Sequence, residues 1–275
     1  MTHSDPSAVR VSVLGASGRM GRSLIRAIHD STDFELVGAA VSADSTARGD
    51  DAGTIAGLPT PLGVLLGADL RTALASAEVA LDFSTAGAVL GHLEACLQAG
   101  VPLIVGTTGF DAQTDARLLE ASNELPLLIA PNTSLGVNLL AQLVERAAAS
   151  LPPDYDIEIL EAHHRYKVDA PSGTALKLGF AAAAGRGIDL EQPPQAPRSG
   201  QTGPRQAGSI GFAVIRGGDI VGEHTVLFAG PGERLELTHR AHDRMTFAYG
   251  ALRAASWLRG QPAGLYTMAD VLGFR

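Results

Sequence analysis

Residues 11–21 read VSVLGASGRMG, a short apolar strand pattern followed directly by three glycines spaced three residues apart. In a strand, turn and helix unit of this kind, Gly15 permits the tight turn and Gly18 lets the backbone approach a pyrophosphate. Gly21 lets the helix pack closely on the sheet, and the amides at the helix N-terminus face the phosphates. The spacing is a variant of the usual dinucleotide-binding fingerprint. It predicts a dinucleotide site, and a turn that binds no phosphate is the alternative.

The first half of the chain alternates between strand patterns and helix patterns. Apolar runs at 9–14, 34–41, 79–83, 101–105 and 125–130 are separated by helical patterns that include 19–30 and 88–99. Short buried strands joined by helices are typical of a parallel sheet with right-handed crossovers. Residues 44–66 lack clear periodicity, and we expect a surface loop with some irregular structure there. The pattern predicts an α/β, Rossmann-like domain.

The character of the sequence changes near Pro152 and Pro153, which end a helical pattern that begins at Leu135. A strand pattern at 156–166, a helical pattern at 172–184 and a polar connection at 186–209 follow. Three strand patterns between 210 and 242 are joined at 217–219 and 231–233 by residues typical of hairpin turns. We therefore expect a second, antiparallel or mixed sheet. The helical pattern at 247–258 has no evident place in that sheet.

Composition limits the class of protein. The 275 residues allow one large domain or two smaller ones. The net charge of −8 argues against nucleic acid or an anionic membrane as the main partner. With no apolar run long enough for a membrane span and no signal-peptide pattern at the start, we expect a cytoplasmic protein. Cys96 is the single cysteine, which excludes an intrachain disulfide, and we expect it in the core.

Residues 161–175, EAHHRYKVDAPSGTA, contain a strongly basic spot in this acidic chain. Four potentially cationic side chains, among them His163, His164 and Lys167, lie within five positions, which is where an anionic substrate would bind. The helix predicted after Ser172 would direct the amides of Gly173 and Thr174 toward a carboxylate. An imidazole and an ammonium group also donate and relay protons near neutral pH. The stretch predicts a small, multiply anionic substrate that accepts a proton.

The histidines have a simpler interpretation when each is taken alone, as polar residues with satisfied hydrogen bonds. Adjacent histidines on a strand face opposite ways, and no third ligand stands at a suitable spacing, so no metal site is predicted. We expect His224, His239 and His242 to be surface or interface residues.

The loop after the second strand bears on which nicotinamide cofactor is used. The usual fingerprint places an acid there to bind the ribose 2′-hydroxyl. Here Ser42 occupies that place, and Asp44 lies too far along. A 2′-phosphate is then tolerable, with donors from Ser42, Ser45, Thr46 or Arg48, although a solvated loop explains these residues equally well. Two later turns, at 106–109 and 130–133, follow predicted strands and are expected to contact the cofactor, the alternative being plain turns.

Several motifs together resemble the 4-hydroxy-tetrahydrodipicolinate reductase family, also called dihydrodipicolinate reductases. They are GASGRMG at 15–21, DFS at 82–84, GTTGF at 106–110, APNTSLGVN at 130–138, EAHHRYKVDAPSGTAL at 161–176, the stretch 210–224 and RMTF at 244–247. The pattern HHxxKxDAPSGT is highly specific to that family. The resemblance covers nearly the whole chain.

The resemblance implies a function and an architecture. The activity is the NAD(P)H-dependent reduction of 4-hydroxy-tetrahydrodipicolinate, by way of dihydrodipicolinate, to tetrahydrodipicolinate in the diaminopimelate route of lysine biosynthesis. Residues 1–134 and 244–275 would form the dinucleotide-binding domain, which gives the C-terminal helix a place. Residues 135–243 would form an inserted α+β domain that binds the small dicarboxylate substrate and assembles a homotetramer.

The resemblance also implies roles for single residues. His163 would act as acid/base and Lys167 as proton donor, while His164, Gly173 and Thr174 bind the substrate carboxylates. Together with Ser42, the predicted cofactor contacts are Gly15, Ala16, Ser17, Gly18, Arg19, Met20, Gly106, Thr107, Thr108, Ala130, Pro131, Asn132 and Thr133. The family often has an acid and an arginine where this chain has Ser42 and Ala43, and often a phenylalanine at Thr133. We therefore expect both NADPH and NADH to be used, with a modest lean to NADPH.

Two other functions fit parts of the sequence. One is another two-domain nicotinamide oxidoreductase, such as a homoserine or semialdehyde dehydrogenase, but an acylating enzyme needs a catalytic cysteine and Cys96 lies in a helical pattern away from the strand ends. The other is a dinucleotide sensor without catalysis, against which the presence of both His163 and Lys167 argues. For an enzyme, hydride transfer requires domain closure, and the segment 197–209 is expected to cover the site.

Overall fold

The computed structural model describes residues 8–190 and 198–274. The chain divides into two compact units, Met1–Leu135 with Met245–Arg275, and Gly136–Arg244. Among the described residues, no helix is long and apolar enough to cross a membrane.

The first unit is built on a six-stranded parallel sheet. Its strands lie in the order β10-β5-β4-β3-β1-β2, and every neighbouring pair is parallel. The strands are β1 (Val9–Leu14), β2 (Phe34–Ala40), β3 (Val79–Asp82), β4 (Leu103–Val105), β5 (Pro126–Ile129) and β10 (Gly264–Tyr266). All four residues of the central β3 are buried, as expected for a strand covered on both faces. The predicted parallel sheet is confirmed.

Helices of the first unit belong to two apolar clusters. In one, Leu24 and Ile25 of α1 lie with Ala251 and Ala255 of α8. In the other, Cys96 lies with residues of α4 and α5 and is fully buried, as predicted. The helices are α1 (Arg19–His29), α2 (Ala52–Ala56), α3 (Leu70–Leu74), α4 (Ala86–Ala99), α5 (Ala112–Ala121), α8 (Met245–Leu258) and α9 (Met268–Val271). The C-terminal helix thus completes the first unit.

In its described residues, the second unit is a four-stranded mixed sheet with two helices. Its elements are α6 (Leu135–Ser150), β6 (Asp156–His163), α7 (Gly173–Arg186), β7 (Ile210–Arg216), β8 (Gly222–Gly230) and β9 (Glu233–Ala241). The strand order is β7-β6-β8-β9, in which only the pair β6 and β7 is parallel. One face of the sheet packs on α6 and α7 through residues such as Ile159, Leu178 and Phe228. A mixed sheet was one of the two predicted forms.

Two sequence predictions about this sheet are wrong in detail. Strand β6 ends at His163 rather than at residue 166, and the next residues turn, with the Lys167 amide donating to the His164 carbonyl. Residues 217–219 do not form a hairpin, because β6 lies between β7 and β8. Instead this turn crosses the end of β6, where Gly217 N donates to His163 O. Turn composition specifies a reversal of the chain but not which strand becomes the neighbour. The predicted hairpin at Pro231 and Gly232 is correct.

The described part of the segment at 197–209 lies at the start of β6. Pro197 is outside the described residues. Arg205 donates to the side chains of Asp156 and Glu158 and to the carbonyl of Ile157. His163 lies at the other end of that strand, about 23 Å away at roughly 3.3 Å per residue. The anchored residues therefore do not cover His163, contrary to our expectation.

Candidate active site

The glycine turn of the first unit has the conformation that its sequence predicts. Gly15 has φ +81, and a Cβ there would lie 2.9 Å from Ser84 Cα. A Cβ on Gly21 would lie 2.4 Å from Gly15 O and 2.7 Å from Ala16 O, so the helix approaches the turn only because this residue is glycine. Gly18 is the N-cap of α1 and supplies no side-chain cap. The first amides of α1 are thus available to an anion.

A pocket lies beside the glycine turn, at the carboxyl ends of β3 and β4. It is lined by Met20, Phe83, Ser84, Thr85, Ala86, Gly106, Thr107 and Thr108. The Phe83 ring fills the space where a Cβ on Gly106 would stand, 2.0 Å from Phe83 Cε1. The hydroxyl of Thr107 is buried without a hydrogen-bond partner among the described residues. An orphaned hydroxyl in a pocket beside a phosphate-type turn fits the amide end of a nicotinamide dinucleotide.

The turn at 130–133 joins the same edge of the sheet. Ala130 N donates to Val105 O at the end of β4. Thr133 is buried, and its hydroxyl donates to the carbonyl of Phe247 at 2.6 Å, which ties this turn to α8. The side chain of Thr133 is therefore used for packing, and only its backbone remains for a ligand.

The loop after β2 contains charges of both signs. Ser42 is exposed, and its hydrogen bond to Asp44 holds the pKa of that carboxyl below its ordinary value. Asp44 is therefore brought to Ser42, which the sequence interpretation did not anticipate. Arg19 and Arg48 are exposed, and no ion pair within residues 8–190 and 198–274 engages either guanidinium group.

Sequence reasoning missed the role of Asp82 at the end of β3. Its carboxylate is fully buried and accepts hydrogen bonds from Ser84 N at 3.0 Å and Ser84 Oγ at 2.5 Å. His92 Nδ1 lies 2.8 Å from the other oxygen. This carboxylate fixes the turn that touches both Gly15 and the pocket. The available signal was an acid at the carboxyl end of a buried parallel strand.

In the second unit, the core face of β6 ends in polar residues. Ile157, Ile159, Glu161 and His163 alternate along that face, and all four are buried. The register places Arg216 of β7 opposite His163 and His224 of β8 opposite Glu161. Four chemically active side chains therefore meet at one end of the sheet, where the apolar core stops.

Glu161 is the centre of this cluster. Arg216 donates to both of its oxygens, at 2.8 and 2.9 Å, and Ser172 N donates at 3.0 Å. His163 Nδ1 lies 2.5 Å from Oε2. Burial by itself would raise the pKa of Glu161, but the hydrogen bonds from Arg216 and His163 outweigh it and the pKa is lowered. The side chain is therefore an ionised, fully hydrogen-bonded carboxylate.

His163 is held neutral in this environment. Burial lowers its pKa, and although Glu161 opposes that shift, Lys167 and Arg216 add to it. Its Nδ1 faces Glu161, and none of the hydrogen bonds of the described residues engages its Nε2. A Cβ on Gly222 would lie 3.2 Å from Nε2, so this glycine keeps space beside that atom.

His224 is not a surface or interface residue, contrary to the sequence prediction. It is 4% exposed, its ring lies edge-on to His163 at 5.1 Å, and its Nε2 is 3.1 Å from Ser172 Oγ. Burial lowers the pKa of His224 to about 4. Alternate residues of β8 from Gly222 onward are buried, so following the period of two along this strand would have identified its position. His242 is exposed.

The predicted substrate residues surround this cluster. Lys167 Nζ donates to Asp169 Oδ1 at 2.8 Å, a contact that lowers the pKa of Asp169. Ser172 caps α7, which leaves Gly173 exposed as the first residue of the helix. His164 follows the end of β6, with its Nε2 3.4 Å from Arg244. No cluster of three or more potential metal ligands occurs in residues 8–190 or 198–274.

A parallel sheet with a glycine turn at its strand ends, in a chain that also carries a histidine and carboxylate cluster on a second sheet, defines a two-unit dinucleotide-dependent oxidoreductase. Residues 9–133 match the family model "Dihydrodipicolinate reductase, N-terminus", and residues 136–272 match "Dihydrodipicolinate reductase, C-terminus". The chain belongs to the dihydrodipicolinate reductase family.

Individual relatives agree with this assignment. The chain is 54% identical over 267 residues, 97% of each chain, to a 4-hydroxy-tetrahydrodipicolinate reductase of Rhodopseudomonas palustris strain BisA53. It is 52% identical over 268 residues to the enzyme of that name from Thiobacillus denitrificans, covering 98% of this chain and 100% of the relative. Among solved structures, a dipicolinate-bound dihydrodipicolinate reductase from Paenisporosarcina sp. TG-14 matches with TM-score 0.77 and 27% identity, covering 96% of this chain and 98% of that one.

These matches confirm the predicted family and fold class. They also confirm an oxidoreductase that uses a nicotinamide cofactor, and the predicted function as a reductase of the diaminopimelate route to lysine.

Proposed function

We propose that the protein reduces 4-hydroxy-tetrahydrodipicolinate, by way of dihydrodipicolinate, to tetrahydrodipicolinate, with hydride from NADPH or NADH. Membership of the reductase family supports the reaction. The observation that carries the substrate class is the group formed by neutral His163, Lys167 and the exposed start of α7. Such a group suits a dicarboxylate that is protonated during the reaction.

The second unit would bind and orient the substrate. We assign one carboxylate to Lys167 and the amides of Gly173 and Thr174, because a helix N-terminus and an ammonium group both favour an anion. His164 would bind the other carboxylate. These contacts fix the ring so that a single carbon faces the hydride donor, and positioning of this kind supplies much of the rate enhancement.

The first unit would hold the dinucleotide. The glycine turn and the first amides of α1 would bind the pyrophosphate, and the pocket between Met20 and Thr108 would receive the nicotinamide. When bound, the cofactor supplies the hydride to C4 of the cyclic imine. Protonation of the resulting enamine carbon is then the task of the protein.

We assign that proton to Lys167, with His163 Nε2 as the neighbouring acceptor that relays protons. Lys167 carries an ammonium donor group, whose Nζ donates to Asp169 Oδ1 in this structure. His163 is neutral with its proton on the side of Glu161, so Nε2 accepts rather than donates. A proton donor and a proton acceptor in the same site suit a step in which one proton is delivered to the substrate.

For the cofactor, we propose that both NADPH and NADH are accepted, with a modest lean to NADPH. The exposed guanidinium groups of Arg19 and Arg48 favour a 2′-phosphate, whereas Asp44 beside Ser42 opposes it and suits a 2′-hydroxyl. The contributions oppose one another, and all of these groups are exposed to solvent screening.

We further infer a homotetramer in the cytoplasm. The tetramer follows from the family resemblance and is supported by apolar side chains on the sheet face away from α6 and α7, where Leu160 is 38% and Ile215 is 56% exposed. A cytoplasmic location suits an enzyme of amino-acid biosynthesis. Light scattering in solution tests the assembly, and a mass near 28.4 kDa, that of one chain, would contradict it.

The function is tested by following cofactor oxidation while the substrate is generated in situ by the preceding synthase. Turnover supports the reductase, whereas tight dinucleotide binding without turnover would indicate the sensor. Dipicolinate, which the Paenisporosarcina structure contains, should inhibit competitively against the substrate. Noncompetitive inhibition would place the carboxylate site elsewhere.

A further inference from the structure

We propose that Glu161 and Arg216 are positioning residues for His163: Glu161 fixes its tautomer and ring orientation so that Nε2 faces the substrate, and Arg216 keeps that carboxylate ionised and in place. The inference rests on the proposed role of His163 in proton transfer. It adds two residues, one of them distant in sequence, to the site of the reaction.

Glu161 is a buried carboxylate held by several hydrogen-bond donors. Its side chain has no solvent exposure, yet each oxygen has two donors. Oε1 accepts from Arg216 Nη2 and Ser172 N, and Oε2 accepts from Arg216 Nη1 and lies 2.5 Å from His163 Nδ1. A buried carboxylate without partners would become protonated, but four donors stabilise the charge. Glu161 is therefore an acceptor only, and His163 Nδ1 must carry a hydrogen.

The other nitrogen of His163, Nε2, is a hydrogen-bond acceptor. A neutral imidazole has one N–H, and since this hydrogen is at Nδ1, Nε2 presents a lone pair. No hydrogen bond of a described residue uses Nε2, and Gly222 leaves space next to it. If the tautomer were reversed, Nδ1 would face Glu161 lone pair to lone pair and Nε2 would donate. Glu161 thus decides which kind of hydrogen bond the site offers to the substrate.

Arg216 adds a geometric constraint. Its guanidinium group binds Glu161 through both terminal nitrogens and also donates to Asp169 O at 2.7 Å. Asp169 is the partner of Lys167, so one arginine links the two proposed proton-transfer residues. A planar, two-pronged contact of this kind is specific to arginine, because lysine is a single point donor.

The charged groups around His163 come from every neighbouring element. Glu161 lies on β6, Lys167 follows that strand, Arg216 lies on β7 and His224 on β8. Glu161 raises the pKa of His163, while burial, Lys167 and Arg216 lower it. His224, with a pKa of about 4, carries no charge at neutral pH. Neutralising Glu161 therefore removes the opposing contribution and shifts the titration of His163 to lower pH.

The decisive variant is Glu161→Gln, with Glu158→Gln as the matched control. Glu158 lies on the same strand and, like Glu161, is paired with arginine, here Arg198 and Arg205, but it is five residues from His163. We expect Glu161→Gln to lower kcat at least tenfold with an unchanged KM for the cofactor. The pH dependence of kcat/KM and the His163 titration seen by nitrogen-15 NMR should both move to lower pH. Glu158→Gln should leave all three unchanged.

Folded Glu161→Gln protein with wild-type kcat and an unmoved His163 titration overturns the proposal. If that variant does not fold, Arg216→Lys decides, because it keeps the charge and removes the two-pronged contact. We expect Arg216→Lys to lower kcat severalfold and to broaden or move the His163 titration; wild-type values of both overturn the proposal.

The variant His163→Gln tests the proposed role of His163 separately from the positioning role of Glu161 and Arg216. If this variant turns over normally, the role itself fails. If it is inactive while Glu161→Gln is normal, only the positioning inference fails.

Discussion

The two units of the molecule reach function by different means. In the first unit, the features that suit a dinucleotide are backbone features, since Gly15 and Gly21 occupy places where a Cβ would meet other main-chain atoms. In the second unit, the features that suit the substrate are buried or paired charges around Glu161, His163 and Lys167. We therefore expect the effect of a substitution to depend mainly on side-chain volume in the first unit and on side-chain charge in the second.

Removing the ammonium group of Lys167 tests this contrast most strongly. Lys167→Ala should lower kcat at least about 100-fold, the scale of a lost general acid, because the proposed proton donor is absent. Dinucleotide affinity should stay nearly unchanged, because the glycine turn belongs to the other unit. Steady-state kinetics and a fluorescence titration with NADPH measure the two effects.

The control for Lys167 is Arg234→Ala, which removes an exposed cation of the same unit that pairs with Glu236. It should leave kcat unchanged. Near wild-type turnover of Lys167→Ala would remove this residue from the mechanism.

The buried histidine His224 of the second unit should also make the free energy of unfolding depend on pH. The pKa of His224 is lowered by burial to about 4 in the folded protein, against about 6.5 in the unfolded chain. Protonation therefore favours the unfolded state. The stabilisation is fully present above about pH 6.5 and decreases as the pH falls toward 4, by about 3 kcal/mol in total.

Urea unfolding between pH 7.5 and pH 4.5 measures this loss, and His224→Gln should have a shallower pH dependence than the wild type. His242→Gln, at an exposed histidine, is the matched control and should follow the wild-type slope. Parallel slopes for all three proteins would show that His224 is not the titrating group.

A methyl group at Gly21 tests the role of volume in the first unit. In Gly21→Ala the new Cβ would lie 2.4 Å from Gly15 O, so α1 must move away from the turn. We expect a loss of about 1–3 kcal/mol in the free energy of unfolding and at least a tenfold weaker Kd for the dinucleotide. Isothermal titration and urea unfolding check both.

Gly91→Ala is the comparison, because it lies within α4 and its Cβ would have no atom within 4 Å. This variant should bind the cofactor normally and be as stable as the wild type or slightly more so, since alanine favours a helix. Normal cofactor affinity in Gly21→Ala would contradict the steric argument.

The same contrast explains what the sequence could predict. β1 and α6 show strong periodicity and were placed correctly, and the glycine turn is a local motif. β10 has three residues and α2 has five, too few for a pattern, and α5 follows the turn at 106–109 without a marked apolar period. Helices and strands could be predicted from the sequence where the hydrophobic repeat was clear.

Only part of the candidate site in the second unit could be predicted from the sequence. His163 and Lys167 stand in one dense cationic stretch. Arg216 lies 55 residues from Glu161, and His224 lies 52 residues from Ser172. These pairs meet only because β7 and β8 flank β6 on opposite sides, and the hairpin expected at 217–219 would have placed them differently. Strand order is a property of tertiary packing, which turn composition does not encode.

We expect the smallest effect for the preference between NADPH and NADH. This preference depends on exposed charges of the first unit, whereas other substitutions in that unit should act through side-chain volume. Ser42 does not repel a 2′-phosphate, and Ala43 offers no positive charge to bind one. Exposed Arg48 attracts a 2′-phosphate, whereas exposed Asp44 repels it. We expect kcat/KM for the two cofactors to differ tenfold or less, with NADPH ahead, and the difference to shrink as salt rises. Asp44→Asn should increase the preference for NADPH, and Arg48→Gln should decrease it. Measuring both cofactors at low and high ionic strength decides the question: a discrimination of several hundredfold that salt does not change would mean that a buried contact, not this exposed loop, selects the cofactor.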